Sequence, residues 1–505
     1  VRIPDILKRY EEHPELRELG LAMRASEKGK FRLKGLAGSQ PAFVLSALYR
    51  LVQRNTLIIL NDKEEALYFY NDLQALMPQK DILYFPASYK RPYQIEEIDN
   101  ANVLQRAEVL NQLNHTHSGR QFIVTFAEAL SEKVINKRSL VRNTLEVRKG
   151  EASGMDFIVE ALEEYTFERS DFVYEPGQYS VRGGILDVFS FGHELPYRIE
   201  FFGKEIESIR VFDPVSQLST DQVNLVSLIP NIQKNLLSEE RVHFLEYISP
   251  GTRVFVRSAD FVAADLDRHF ERAQKHYNDL RAASGGGATS SEPRQLYMSG
   301  TAFTGLLNEF AVLEFGRSAI YRNHEQEVEW EGSPQPNFHK EFNLLAAHLH
   351  SHTQQGIATF VCSDSEKQFQ RLHEIFTTLD TEARFENLQH EIHEGFLDKK
   401  LGIALYTDHQ IFERYHRYKS KAQTSRSQAL TLRELKELAP GDFVTHVHHG
   451  IGRFAGLHLI KVGETEQEAV KIIYRDGDQI FVNVNSLYKI AKLSGKDGEQ
   501  PKLNK

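Results

Sequence analysis

The chain reads as an α/β multidomain protein that ends in a small β-rich unit. Three observations predict this. Short apolar runs alternate with helix-length segments over 56–125 and again over 357–405, the pattern of parallel sheets covered by helices. Between these blocks, 174–213 carries two successive hairpin signals. In the last block, strand-like runs flank Asp476-Gly477, a strong hairpin turn. At 505 residues the chain has room for roughly three to five domains.

Composition narrows the function classes. With 41% hydrophobic and 26% charged residues the chain can build several ordinary cores. A net charge of -9 excludes a chain coated in nucleic acid, so any such contact must come from a local patch. The single cysteine, Cys362, excludes an intrachain disulfide framework and suits a reducing cytoplasm. No apolar run approaches the ~20 residues of a membrane span, and the Val1 start is no signal peptide. The expectation is a cytoplasmic protein with no membrane partner. The valine start and the polar end at 501–505 read as a piece of a longer chain.

Taken in order, 1–125 alternates strand and helix. Thr56–Leu60 is a buried strand, Asn61-Asp62 a capping pair, and Lys63 to Leu76 a helix. Apolar runs at 82–85 and 122–125 are strands, separated by a helix over 101–113. In the next block, Phe172–Tyr174 and the Tyr179/Val181 alternation are strands flanking the turn pair Pro176-Gly177. Gly183-Gly184 predicts a bulge. A second hairpin turns at 202–204 and closes at Asp213-Pro214, and a helix is expected near 157–165. From 224 the α/β pattern returns, with a strand at 253–256, a charged helix at 260–281 and a last element over 306–315. Residues 284–291 are linker-like.

The third block places strands at 357–362 and 401–405. Ser363 with Glu366 predicts a capping box, and Phe369, Leu372, Phe376 and Leu379 a buried helix face. Residues 414–426 hold five basic and no acidic residues, and read as a solvated connector, with a phosphate-binding strip as the alternative, before a short helix at 432–438. The final unit is expected to be a small twisted barrel of four or five short strands, turning at Gly450 and Gly452.

The segment 34–42, Lys-Gly-Leu-Ala-Gly-Ser-Gln-Pro-Ala, lies where a phosphate-binding loop would lie, between a strand and a helix. Such a loop needs glycines for backbone approach, a lysine for the β/γ charge and a hydroxyl for magnesium. Gly35 is present, but Gln40, Pro41 and Ala42 stand at the second glycine, the lysine and the hydroxyl. No Asp-Glu dipeptide occurs in the chain, so the usual acidic partner of magnesium is also missing. The groups that handle a γ-phosphate are lost.

Other constellations are weaker. His373-Glu-Ile-Phe-Thr377 lacks the second histidine of a zinc-protease helix, and 390–393 has its second histidine one place early. Of His348, His350 and His352, only the first and last share a face. Asp187, Glu200 and Lys204 resemble a metal-nuclease set, but lysine is absent at Phe202, so hairpin ion pairs account for them better. Cys362 in an apolar strand is core. No catalytic residue and no metal site is expected.

Two strings carry a family resemblance. Gly-Gln-Tyr-Ser-Val-Arg-Gly-Gly-Ile-Leu-Asp-Val-Phe over 177–189, with its continuation through 196–214, resembles the bacterial transcription-repair coupling factors, the Mfd family. It resembles UvrB more loosely. His-His-Gly-Ile-Gly-Arg-Phe over 448–454, with 480–487, resembles the polymerase-interacting domain of the same family, related to CarD-type regulators.

The resemblance implies a fold class: a degenerate P-loop, RecA-like UvrB-type module with an inserted α+β domain, a second small α/β domain, and a Tudor/SH3-like, CarD-type β-barrel. The implied domains are 1–125 (domain 1a), 126–219 (domain 2, UvrA-binding), 220–320 (domain 1b) and 321–413 (domain 3). A basic linker at 414–436 leads to the polymerase-interacting domain at 437–505. It further implies two partners: UvrA through Arg169 and Arg182, and the RNA polymerase β subunit through a strand edge at Leu459 and Ile460. Arg182 is expected to project into solvent. ATP, magnesium and most DNA contact belong, in the family, to translocase motors beyond these domains, leaving this chain without a cofactor. UvrB carries an intact phosphate loop and the matching domain of the coupling factors does not, so Gln40, Pro41 and Ala42 favour the latter. The alternatives are an active UvrB-like nucleotide-dependent helicase and a CarD-like transcription regulator.

Overall fold

A computed structural model describes residues 2–88, 100–115, 120–191, 193, 195–214, 217–230, 240–283, 291–379, 384–414, 438–446, 450–462, 465–475, 477–483 and 490–492. The chain divides into two compact units, 1–418 and 419–505.

The larger unit is built on a seven-stranded sheet in which every neighbouring pair is parallel. Its order is Gln326–Glu329, Lys30–Lys34, Ala311–Phe315, Arg253–Arg257, Thr56–Leu60, Phe122–Phe126, Ile82–Tyr84. Strands from 30–126 and 253–329 therefore interleave in one sheet, and 127–252 is an excursion from it. Several strands are buried from end to end because helices cover both faces, which explains their unbroken apolar runs. Asp62 caps the helix Lys63–Leu76 by accepting the Glu65 N–H at 2.9 Å, as the sequence predicts. The strand Gln326–Glu329, expected in the third block, instead extends this sheet by pairing with Lys30–Lys34.

The excursion forms a six-stranded sheet, ordered Ser219–Val223, Glu205–Phe212, Tyr197–Phe202, Ile185–Val188, Gln178–Arg182, Glu168–Arg169. Tyr179, Leu186, Val188, Tyr197 and Ile199 are buried on one face, in the same core as Ile158 and Leu162 of the helix Met155–Glu164. Two expectations fail here. Phe172–Tyr174 is not a strand, because the Gln178 side-chain carbonyl takes the N–H groups of Tyr174 and Glu175 and holds them as a turn. The added strand is Glu168–Arg169, parallel to Gln178–Arg182. Gly183-Gly184 is not a bulge but a two-residue hairpin turn joining paired Arg182 and Ile185. The bulges fall at Glu200/Phe201 and Val211/Phe212.

A second, mixed sheet follows in the order Gly332–Pro334, Phe396–Asp398, Ile403–Thr407, Ala358–Cys362, Glu386–Leu388. Val361, Ala404 and Tyr406 face its own helices, where Phe369, Leu372 and Phe376 are buried and Leu379 lies at the C-cap. The alternate residues Phe360, Cys362, Ile403 and Leu405 join the core of the first sheet. Period-two alternation thus faces one sheet to two different cores. The N-cap position of the helix Glu366–Thr378 is Ser365, not Ser363, and its side chain makes no capping hydrogen bond. The Ser363 hydroxyl is engaged elsewhere, donating to Asp408 at 2.8 Å.

In the smaller unit, five antiparallel strands are ordered Gln479–Asn483, Thr465–Ile473, Gly450–Val462, Phe443–His446, Ile490–Lys492. One strand is 13 residues long, against the short strands expected. Gly452 lies inside it rather than at a turn. A β-carbon there would meet Ile472 Cγ2 at 2.4 Å, so the glycine permits close packing of the ladder. Residues 415–437, including the expected short helix, and the histidines at 448 and 449 lie outside the described residues.

Candidate functional site

The loop 35–39 leaves the strand Lys30–Lys34 and enters the helix Gln40–Val52, the strand–loop–helix order expected of a phosphate loop. Gln40, Pro41 and Ala42 are all fully buried. Gly35 adopts φ +74, and a β-carbon on it would lie 1.7 Å from the Trp330 carbonyl oxygen. Gly38 adopts φ +52 with the same imaginary carbon 2.4 Å from the Gly395 carbonyl. The glycines thus admit protein backbone at close range.

Three amides at the loop are spent inside the protein. The Ala37 N–H donates to Gln40 Oε1 at 3.1 Å and the Ser39 N–H to the Glu394 carbonyl at 3.1 Å. The Gln40 N–H donates to the Ala37 carbonyl at 3.0 Å. Beyond the loop, Gln40 Nε2, Tyr10 OH and Trp330 Nε1 each donate to Asp398 Oδ2 at 2.8 Å. Leu401 N–H donates to Oδ1 at 2.9 Å. Burial, with the Asp398 carboxylate close by, pushes the Tyr10 hydroxyl well up. Beside this cluster, buried Asp72 accepts the His393 N–H at 2.8 Å. Burial raises its carboxyl to about 7 against the hydrogen bonds from Ser39 and His393. None of Tyr10, Trp330 or Asp398 is marked by a local motif; the sole tryptophan was the one available hint.

Arg182 does not project freely. It forms an ion pair with buried Asp187, which also holds Arg198 through Nε at 2.7 Å and Nη2 at 2.9 Å. Its guanidinium lies 5.0 Å from the Phe172 ring centre, and its side chain keeps 39% exposure. Arg210 pairs with Glu200. Asp187 and Glu200 are therefore ion-pair partners rather than metal ligands, and no cluster of three or more metal-ligating residues occurs among the described residues. Arg169 pairs in register with Tyr179, while Arg182 sits three residues on. Alternation then puts the two arginines on opposite faces, so they do not form one cluster.

Leu459 and Ile460 lie in the strand Gly450–Val462, in register with Glu468 and Gln467 of the neighbouring strand. On the other side, Phe443–His446 reaches only Gly450–Arg453. Among the described residues, the edge from 455 to 462 has no strand partner. Leu457 is exposed at its start.

His348 and His352 share a face, with ring centres 4.3 Å apart. The Tyr406 hydroxyl lies 2.7 Å from His348 Nδ1 and 3.2 Å from His352 Nδ1. Burial, then the neighbouring His348, depresses His352 to about 4, and burial lowers His348. This is a neutral core network. Cys362 is buried, and burial pushes its thiol up, as expected of an inert core cysteine.

Comparison with known proteins matches two parts of the chain. The family model of the UvrB interaction domain covers 145–233, the six-stranded sheet and its helix. That of the CarD-like/TRCF RID domain covers 438–494, the smaller unit. The transcription-repair-coupling factor of Bacillus subtilis is 22% identical over 543 residues, covering 94% of this chain and 46% of the relative. That of Staphylococcus haemolyticus is 22% identical over 541 residues, covering 93% and 46%. The chain spans about half the length of these relatives. No helix among the described residues is long and apolar enough to cross a membrane. Both domains occur in one chain, and similarity to transcription-repair-coupling factors extends over nearly all of it.

Proposed function

We propose that this chain is a recognition and scaffolding half of a transcription-repair coupling factor. It docks on stalled RNA polymerase through the β subunit and recruits UvrA for transcription-coupled nucleotide excision repair, in the cytoplasm. One observation carries this reading: a UvrB interaction domain and a CarD-like/TRCF RID domain occur in one chain. The UvrA contact is assigned to Arg182, with Arg169. The half-exposed guanidinium of Arg182 supports this, because it can exchange Asp187 for an outside carboxylate. The polymerase contact is assigned to Leu459 and Ile460, supported by a strand edge that no described strand pairs beside them. In the whole protein, ATP and magnesium would serve separate translocase motors that carry most of the DNA contact. The degenerate loop contributes no chemistry.

Capture assays with purified UvrA and purified polymerase test this. The chain should retain both. Arg182→Glu should lose UvrA and keep polymerase, because reversing a central interface arginine costs about 2–4 kcal/mol. Arg169→Glu should weaken UvrA capture, less severely. Either Leu459→Arg or Ile460→Arg should lose polymerase and keep UvrA, since a charge buried unpaired costs several kcal/mol. Unaltered UvrA capture by folded Arg182→Glu rules out that surface. Polymerase binding by both strand variants moves the docking strand elsewhere. Capture of polymerase by the parent chain, with UvrA never captured, would favour the CarD-like regulator. Calorimetry should show no saturable magnesium-dependent binding of ATP, and micromolar binding would favour the helicase reading.

A further inference from the structure

The loop 35–39 is not merely stripped of nucleotide chemistry; its space is taken. Gly38 abuts the Gly395 carbonyl, and Ser39 exchanges two hydrogen bonds with Glu394: its N–H donates to the Glu394 carbonyl and its Oγ accepts the Glu394 N–H at 2.9 Å. Phe43, on the helix that follows the loop, meets Phe396 edge-on with ring centres 5.3 Å apart. Every one of these partners belongs to the 394–398 segment of the second sheet. The Asp398 carboxylate then lies against the first residue of the Gln40–Val52 helix, held by Gln40 Nε2. The protein thus places a carboxylate of its own beside the helix start, held through a side chain. Its three side-chain donors come from an N-terminal helix (Tyr10), the loop's own helix (Gln40) and the tract between the two sheets (Trp330).

We infer that the remnant phosphate loop has become a socket that seats the second sheet, with Asp398 as a built-in anion and Gln40 as its clasp, closing the loop to nucleotide. The second sheet shares its core face with the first, so the seat fixes the register of two apolar surfaces that could otherwise slide. The residue that displaces the loop's second glycine has therefore gained a role. It spans the loop, accepting from Ala37 and donating to Asp398.

The chain contains one tryptophan, and it sits in the socket, 1% exposed and bonded to Asp398. Its emission therefore reports the seat directly. Gln40→Glu sets a second carboxylate against Asp398 and should red-shift Trp330 emission. It should also speed amide exchange in 35–42 and 394–401 about tenfold, while the strands Thr56–Leu60 and Arg253–Arg257 stay protected. Asp398→Asn should give a smaller shift of the same sign. In the Asp398→Asn background, Gln40→Glu should add little, because the carboxylate it repels is gone. Saturating magnesium-ATP should leave the parent's emission unchanged. Parent-like emission and exchange in folded Gln40→Glu, strictly additive effects of the two substitutions, or a saturable magnesium-ATP response of Trp330 would each overturn the socket. If Gln40→Glu does not fold, the Asp398→Asn exchange pattern decides: faster exchange confined to 35–42 and 394–401 supports the seat, and no local change overturns it. The emission and exchange readouts of the two substitutions do not depend on UvrA or polymerase, so failure of the seat is told apart from failure of the proposed partners.

Discussion

Two buried carboxylates show opposite ways of keeping a charge inside a protein. Asp187, in the six-stranded sheet, is fully buried and answered by two guanidiniums, Arg182 and Arg198. Asp398, where the two α/β sheets meet, is 1% exposed and answered by neutral donors from Tyr10, Gln40, Trp330 and the Leu401 amide. The guanidinium arrangement tolerates an open side: Arg182 holds Asp187 while staying half exposed. Neutral donors must all converge, because each alone offsets little of the cost of desolvating a carboxylate. That arrangement works only when the two sheets are seated, so it suits a joint.

Removing each carboxylate separates the two designs. Asp398→Ala should be the most damaging, costing about 3–4 kcal/mol, since three buried donors lose their acceptor at once. Urea unfolding of the chain followed at Trp330 measures this, and a loss below that of Asp187→Ala would break the comparison. Asp187→Ala should cost about 2–3 kcal/mol, mostly from Arg198, which is 17% exposed and would be left unpaired, while Arg182 turns to water. Arg182→Ala should cost under about 1 kcal/mol, as for a half-exposed ion pair. A larger loss would make Arg182 structural and weaken its assignment to UvrA.

A pH experiment sharpens the contrast between joint and core. Asp72, beside the joint, has its carboxyl raised by burial from 3.8 to about 7. The native state holds that proton where the unfolded chain has lost it. Its contribution to stability is therefore complete below about pH 4 and is lost as pH rises to about 7. His352 runs the other way: depressed from 6.5 to about 4, it contributes fully above about pH 6.5 and loses this as pH falls to about 4. Relative to the parent, Asp72→Asn should gain stability steadily from pH 4 to 7. His352→Gln should gain as pH falls from 6.5 to 4. Urea unfolding at four pH values reads both, and parallel curves for parent and Asp72→Asn would show that Asp72 is not buried at the joint.

Much of the local structure was legible. Runs such as Thr56–Leu60 and the Asp62 cap are set by neighbours in sequence, and the structure places them as read. The two leading helices, Ile3–Glu12 and Pro14–Ala25, passed unread although Pro14 opens the second and Ile3, Ile6, Leu7 and Tyr10 line one face of the first. The degenerate loop was readable because each lost group has a fixed spacing. What replaced them was not. Pro176-Gly177 read as a turn and Gly183-Gly184 as a bulge. Only the ladder shows that one is held by the Gln178 side chain and the other is a hairpin turn.

The sequence by itself determined that Gln40, Pro41 and Ala42 stand where a phosphate loop carries glycine, lysine and a hydroxyl, and that two family strings stand in order. Both are properties of spacing within a short window. The tertiary structure decided that Arg182 is tied to Asp187, that Arg169 lies across the sheet from it, and that one edge of 455–462 has no described strand partner. It also decided that Tyr10 and Asp398, 388 residues apart, share a hydrogen bond. No local pattern encodes that pairing, because a buried carboxylate is satisfied by whichever donors the packed sheets bring to it, and those donors are chosen by the fold.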